Sequence, residues 1–135
     1  MSKMTKMLQN DVLGVVFEFI NITIDNDTIE KVNYNKNLTK KIKNVILLND
    51  FTGESLKYTP NLKLIYCFLN TNFDFVYLKY TPSLERLDCC ENTNLTDDDL
   101  KYVPNLTCLD CGYNENLTDK GLKYVPKLKQ LYCNK

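Results

Sequence analysis

The chain carries six cysteines and no histidine. Cys108 and Cys111 form a Cys-x-x-Cys pair, and Cys89 and Cys90 are adjacent. Four thiols so spaced invite a zinc-site reading. Asp88 precedes Cys89, Asp110 lies inside the Cys-x-x-Cys pair, and the two could act as a carboxylate pair in acid–base chemistry. The missing histidine removes Ser/His and Cys/His catalysis and every His-ligated metal site. A general acid or base would have to be a perturbed carboxylate, Lys, Tyr or Cys. No enzyme is expected, and no cofactor or metal.

The periodicity of the chain decides how these groups can be arranged. Pro60, Pro82, Pro104 and Pro126 stand 22 residues apart, as do Cys67, Cys89, Cys111 and Cys133. Leu56, Leu78, Leu100 and Leu122 share that period, each followed by Lys-Tyr. Three ladders with one spacing define a structural repeat. The best-preserved unit reads Leu106-x-x-Leu109-x-Cys111-x-x-Asn114, then Leu117-Thr118-Asp119 and Leu122-Lys123-Tyr124-Val125-Pro126. The first unit begins at Ile42, and the last, from Leu128, stops after its strand.

Leu109 and Cys111 alternate, so they share one face of a strand. Such a strand cannot bury its face alone. Copies stacked about 4.8 Å apart form a parallel sheet over one continuous core. Asn70, Asn92 and Asn114 follow the strands and can satisfy backbone groups of neighbouring turns. Thr96 with Asp99 suggests a capped helix of about two turns, stopped by each proline. The Tyr58, Tyr80, Tyr102 and Tyr124 ladder is expected to pack on that convex layer.

This pattern resembles the leucine-rich repeat family over residues 42–135, with Cys where the family usually has a third strand Leu. The resemblance implies an α/β solenoid, right-handed, with a parallel sheet on its concave face and short helices on its convex face. It also implies protein–protein interaction through the concave face. The register names that face. Its central row is Ile46, Tyr66, Asp88, Asp110 and Tyr132. Asn44, Leu64, Arg86, Cys108 and Gln130 flank it on one side, and Leu48, Phe68, Cys90, Gly112 and Asn134 on the other. The expected partner contacts are Ile46, Leu48, Leu64, Tyr66, Phe68, Arg86, Asp88, Asp110 and Tyr132. The first two strands present an apolar patch and the next two an acidic one.

The same register argues against zinc. Cys108 and Cys111 are three apart along a strand and face opposite sides, as do Cys89 and Cys90. Their thiolates cannot converge tetrahedrally. Inward cysteines at strand spacing lie farther apart than the Cβ distance of about 3.8 Å a disulfide prefers. Free thiols are expected, with Cys67, Cys89, Cys111 and Cys133 in the core and Cys90 and Cys108 the more exposed pair.

Residues 1–41 are read as an N-terminal helix and cap. Leu8, Val12, Val15, Val16, Phe19 and Ile20 recur at helical spacing. Ile22 and Ile24 suggest a strand, and Ile29, Val32 and Tyr34 a degenerate strand unit. The stretch from Met7 to Ile20 resembles the opening of an F-box, with Gln9 where that family has Pro and without its Trp-containing second half. This implies contacts to a Skp-type ubiquitin-ligase adaptor through Val12, Val16 and Phe17. F-boxes precede leucine-rich repeats in many substrate receptors, which makes a reduced adaptor of that kind the first functional reading. The second is a structural or assembly protein that self-associates through an uncapped C-terminal edge and the apolar patch. The Asn-rich composition and the motif combination resemble proteins of large DNA viruses of protists.

Lys plus Arg and Asp plus Glu are 17 each. That balance gives no support to nucleic-acid or membrane-surface binding. The first twenty residues lack the uninterrupted apolar core and cleavage site of a signal peptide. A cytoplasmic location is expected, the host's cytoplasm for a viral protein, with the Asn-x-Ser/Thr sequons unused.

Overall fold

The computed structural model describes residues 21–24, 43–47, 51–68 and 70–134. The expected N-terminal helix, the Ile29–Tyr34 unit and the contact residues Val12, Val16, Phe17 and Leu48 lie outside the described residues. Six strands form one sheet in chain order. They are β1 (Asn21–Ile24), β2 (Asn44–Leu47), β3 (Leu64–Tyr66), β4 (Arg86–Asp88), β5 (Cys108–Asp110) and β6 (Gln130–Tyr132). Every neighbouring pair is parallel. From β3 onward the pairing advances by one repeat at each strand: Leu64 faces Arg86, Arg86 faces Cys108 and Cys108 faces Gln130.

Each of β2 to β5 is followed by a short 3-10 turn: η1 (Glu54–Tyr58), η2 (Phe75–Tyr80), η3 (Asp97–Tyr102) and η4 (Asp119–Tyr124). The expectation of two-turn helices is corrected here. The residue after each turn donates its N–H only three residues back, as in Thr81 to Leu78, Val103 to Leu100 and Val125 to Leu122. A proline comes next, which holds its predecessor out of the helical region and offers no N–H of its own. The turn therefore stays a single tight 3-10 piece. At its start Thr96 and Asp99 form the expected capping box. Asp74 and Thr118 cap the neighbouring turns by accepting from Val76 and Lys120.

The core is one cluster running from Val45 to Val125. Its strand row is Val45, Ile65, Leu87 and Leu109, all without solvent exposure. Leu56, Leu78 and Leu100 meet it from the turn layer. Phe51 and Phe73 stack with ring centres 6.4 Å apart, and Phe75 meets Phe73 edge-on at 4.8 Å.

Two polar ladders tie the units together. Asn70 Nδ2 donates to the Phe51 carbonyl at 3.0 Å, Asn92 Nδ2 to that of Asn70, and Asn114 Nδ2 to that of Asn92 at 2.9 Å. The same side chains accept from the N–H groups of Asn72, Asn94 and Asn116. Asn70 and Asn92 are fully buried. No apolar residue could satisfy donors and acceptors so placed. The second ladder is made of thiols. Cys67, Cys89 and Cys111 donate S–H to the carbonyls of Asp88, Asp110 and Tyr132, each on the next strand. Cysteine at this strand position thus adds a weak donor where the three-residue strand has ended.

On the turn layer Tyr80, Tyr102 and Tyr124 pack against the core, while Tyr58 stays exposed. Lys57, Lys79, Lys101 and Lys123 each lie over the ring of the tyrosine that follows, at 4.6–5.1 Å. No helix among the described residues is long and apolar enough to cross a membrane.

Candidate functional site: the outer face of the sheet

Strand parity places alternate residues on opposite faces. With Val45, Ile65, Leu87 and Leu109 committed to the core, the intervening row faces outward. It is Ile46, Tyr66, Asp88, Asp110 and Tyr132, paired in that order across the strands. The flanking row of Asn44, Leu64, Arg86, Cys108 and Gln130 is likewise in register. Ile46, Leu64, Tyr66, Arg86, Asp88 and Asp110 are half-buried. Phe68 and Tyr132 are 49% and 48% exposed. Eight of the nine expected contact residues therefore share one surface, and Leu48 lies outside the described residues.

The middle of this surface is electrostatically unbalanced. Asp88 and Asp110 sit directly opposite each other on β4 and β5. Burial pushes the Asp88 carboxyl above the usual range, and the Asp110 charge adds to the rise. The Cys90 N–H and the Arg86 guanidinium oppose it. Asp110 accepts from the Gly112 N–H at 3.2 Å. Neither carboxylate forms an ion pair among the described residues. The Arg86 guanidinium lies 5.9 Å from the centre of the Tyr66 ring, and its Nε is buried without a hydrogen-bond partner.

The rim holds two residues in the left-handed region. Glu91 and Tyr113, one repeat apart, each have φ of 60°. Bulky residues rarely adopt this conformation. It persists here because their N–H groups bond across to the Gly112 and Asn134 carbonyls at 2.8 Å. Both side chains are thrown outward, Tyr113 to 56% exposure. Sequence reasoning placed Glu91 on the outer face but did not find the left-handed backbone at either position, since neither residue is the Gly or Asn that usually marks it.

The thiols do not form a reactive cluster. Burial raises Cys67 and Cys89, and it pushes Cys111 up to about 11. Cys90 is also raised, by desolvation first and then by Asp110. These four stay protonated near neutral pH. Two exposure expectations are corrected. Cys108 lies on the outer face yet is only 6% exposed, in register between the longer Arg86 and Gln130. Cys133 is exposed although it continues the core ladder, because no described strand lies beyond β6. Among the described residues no three His, Cys, Asp or Glu side chains are grouped to hold a metal ion.

Three sequon asparagines have their amide nitrogen committed. Asn94, Asn105 and Asn116 donate Nδ2 to the carbonyls of Thr71, Pro82 and Thr93 at 2.7, 3.0 and 2.6 Å. A glycan on any of them would leave one N–H on that nitrogen, which would have to keep the bond between units. A scan against protein-family models and a search of curated proteins both found no match to this chain.

Proposed function

We propose that this chain is a non-enzymatic protein–protein interaction module of the leucine-rich repeat class, whose contact surface is the outer face of the sheet. One observation carries the reading: the sheet buries an almost uniform apolar row on one side and presents a varied, partly exposed row on the other. The 22-residue register, the asparagine ladder and the thiol ladder support the repeat assignment. With the F-box-like segment ahead of it, the chain reads as a reduced substrate adaptor. Two experiments test this. A Skp-type adaptor should be retained by the full chain and lost when Val12, Val16 and Phe17 are made polar. A photo-crosslinker at Tyr66 or Asp110 should trap partner protein, whereas one at Asp98, on η3, should not. Equal trapping at the two places overturns the choice of face.

A second reading is favoured by one region. Leu131 and Cys133 are exposed, whereas Leu109 and Cys111, their counterparts one repeat earlier, are buried. A cleft of about 660 Å³ opens there between Leu117, Leu122 and Leu131. Unpaired strand edges invite association. Light scattering across concentration tests assembly through β6, and a monomer throughout eliminates an obligate oligomer.

A further inference from the structure

We propose that the outer sheet face takes a basic, extended segment of a protein partner, with a lysine or arginine side chain seated on Asp88 and Asp110 between the rings of Tyr66 and Tyr132. The inference deepens the interaction-module reading and rests on it.

The argument is one of charge and ring complementarity along a single row. Four consecutive outward positions read Tyr66, Asp88, Asp110, Tyr132. At strand spacing the row spans roughly 14 Å, within reach of a few extended residues. Its centre holds two like charges side by side, which is unfavourable while nothing neutralises them. Glu91 adds a third carboxylate at the exposed rim. Arg86, on the same strand as Asp88, lies over Tyr66 and is ion-paired to neither acid among the described residues. An arriving guanidinium or ammonium would relieve the repulsion, and the exposed Tyr132 ring beside Asp110 offers it an aromatic face, while that of Tyr66 already carries Arg86. An anionic partner would meet the same carboxylates as repulsion. Toward β2 and β3 the surface becomes apolar, through Ile46, Leu64 and the exposed Phe68. The fitting ligand is therefore a segment that combines basic with apolar side chains.

The Asp88 carboxyl is raised by burial first and by the Asp110 charge second, with Arg86 offsetting only part of the rise. A second copy of the chain is the competing occupant, since its turn layer presents Lys57, Lys79, Lys101 and Lys123. Those cations already lie over their own tyrosine rings, which favours a separate partner.

The test uses the full chain and three labelled octapeptides that alternate leucine with arginine, glutamine or glutamate. Anisotropy at about 0.15 M salt should show binding of the arginine peptide alone, weakening as salt rises. Asp88→Asn and Asp110→Asn should each weaken it about tenfold, and Tyr132→Ala about threefold to fivefold. Asp98→Asn on η3 should leave it unchanged. Asp88→Asn should melt no lower than the parent, so a loss of binding is not a loss of fold. Equal effects of Asp88→Asn and Asp98→Asn, or no binding of the arginine peptide, overturn the proposal. Binding of the neutral or acidic peptide that is abolished by Tyr66→Ala also overturns it, while leaving the sheet face as the interaction surface. A dimer in light scattering that Asp88→Asn dissolves overturns it in favour of a second copy.

Discussion

The two faces of one sheet obey different rules. The inner row, Val45, Ile65, Leu87 and Leu109, is aliphatic and fully buried. The outer row, on the same strands and one residue further along each, runs from isoleucine through tyrosine and two aspartates to tyrosine. Backbone hydrogen bonding is common to both, so it cannot account for the difference. The inner row is constrained because every copy must fit the cavity left by its neighbours, and packed interiors tolerate little change in volume. The outer row meets no other element among the described residues and is free to vary. Stability should therefore concentrate on one face and recognition on the other.

The largest effect should come from the inner row. Leu87→Ala removes a fully buried side chain and should cost about 3–4 kcal/mol in chemical denaturation. Tyr66→Ala, its neighbour on the outer face, should cost under about 1 kcal/mol while impairing binding. Equal losses would break the comparison.

The asparagine ladder should come next. Asn92→Leu strands the Asn70 carbonyl in the core and removes the acceptor of the Asn94 N–H, at a cost of about 2–3 kcal/mol by the same measurement. A loss as small as that of an exposed asparagine would mean the ladder contributes little.

A smaller effect should follow pH. Burial holds the Cys67, Cys89 and Cys111 thiols above the ordinary range. Their contribution is fully present below the unfolded thiol value and is lost as pH rises through the folded one, about 11 for Cys111. The denaturation midpoint should fall from about pH 9 upward. Cys89→Val should shallow that fall, and an unchanged slope would show that the thiols do not cause it. Under native conditions Cys133 should be alkylated first and Cys67 last, as read by mass spectrometry.

The smallest effect should be a gain. Asp88→Asn removes the repulsion from Asp110 and should stabilise the fold by about 0.5 kcal/mol at neutral pH. The sign follows from the raised Asp88 carboxyl, since the folded state favours the uncharged form. A destabilised variant would mean that the carboxylate is held by favourable contacts, which would undercut the outer face as an unsatisfied surface.

Much of this was legible before any coordinates. The period set the register, and strand parity then assigned Tyr66, Asp88 and Asp110 to one face and Leu87 and Leu109 to the other. Asn92 was readable because a polar residue held at a core period must answer backbone groups. Other features depend on neighbours that a linear pattern does not show. The turn layer is 3-10 because each residue before proline is held out of the helical region, an effect that propagates backward through hydrogen bonding. The Asp97 carboxylate accepts from the Thr118 hydroxyl and N–H at 2.6 and 2.7 Å, a clasp between η3 and η4 that no local signal announces. These bonds hold the Asp97 carboxyl below its usual range.

Cys111 and Cys133 mark the boundary between the two kinds of information. Both occupy the same position of the same motif, Leu-x-x-Leu-x-Cys, and sequence alone determines that both point to the core side of a strand. Only the tertiary structure decides that Cys111 is 3% exposed and Cys133 is open. Parity is a property of the strand's own backbone. Burial is a property of what stacks on it, and β5 has a described neighbour on each side while β6 has one.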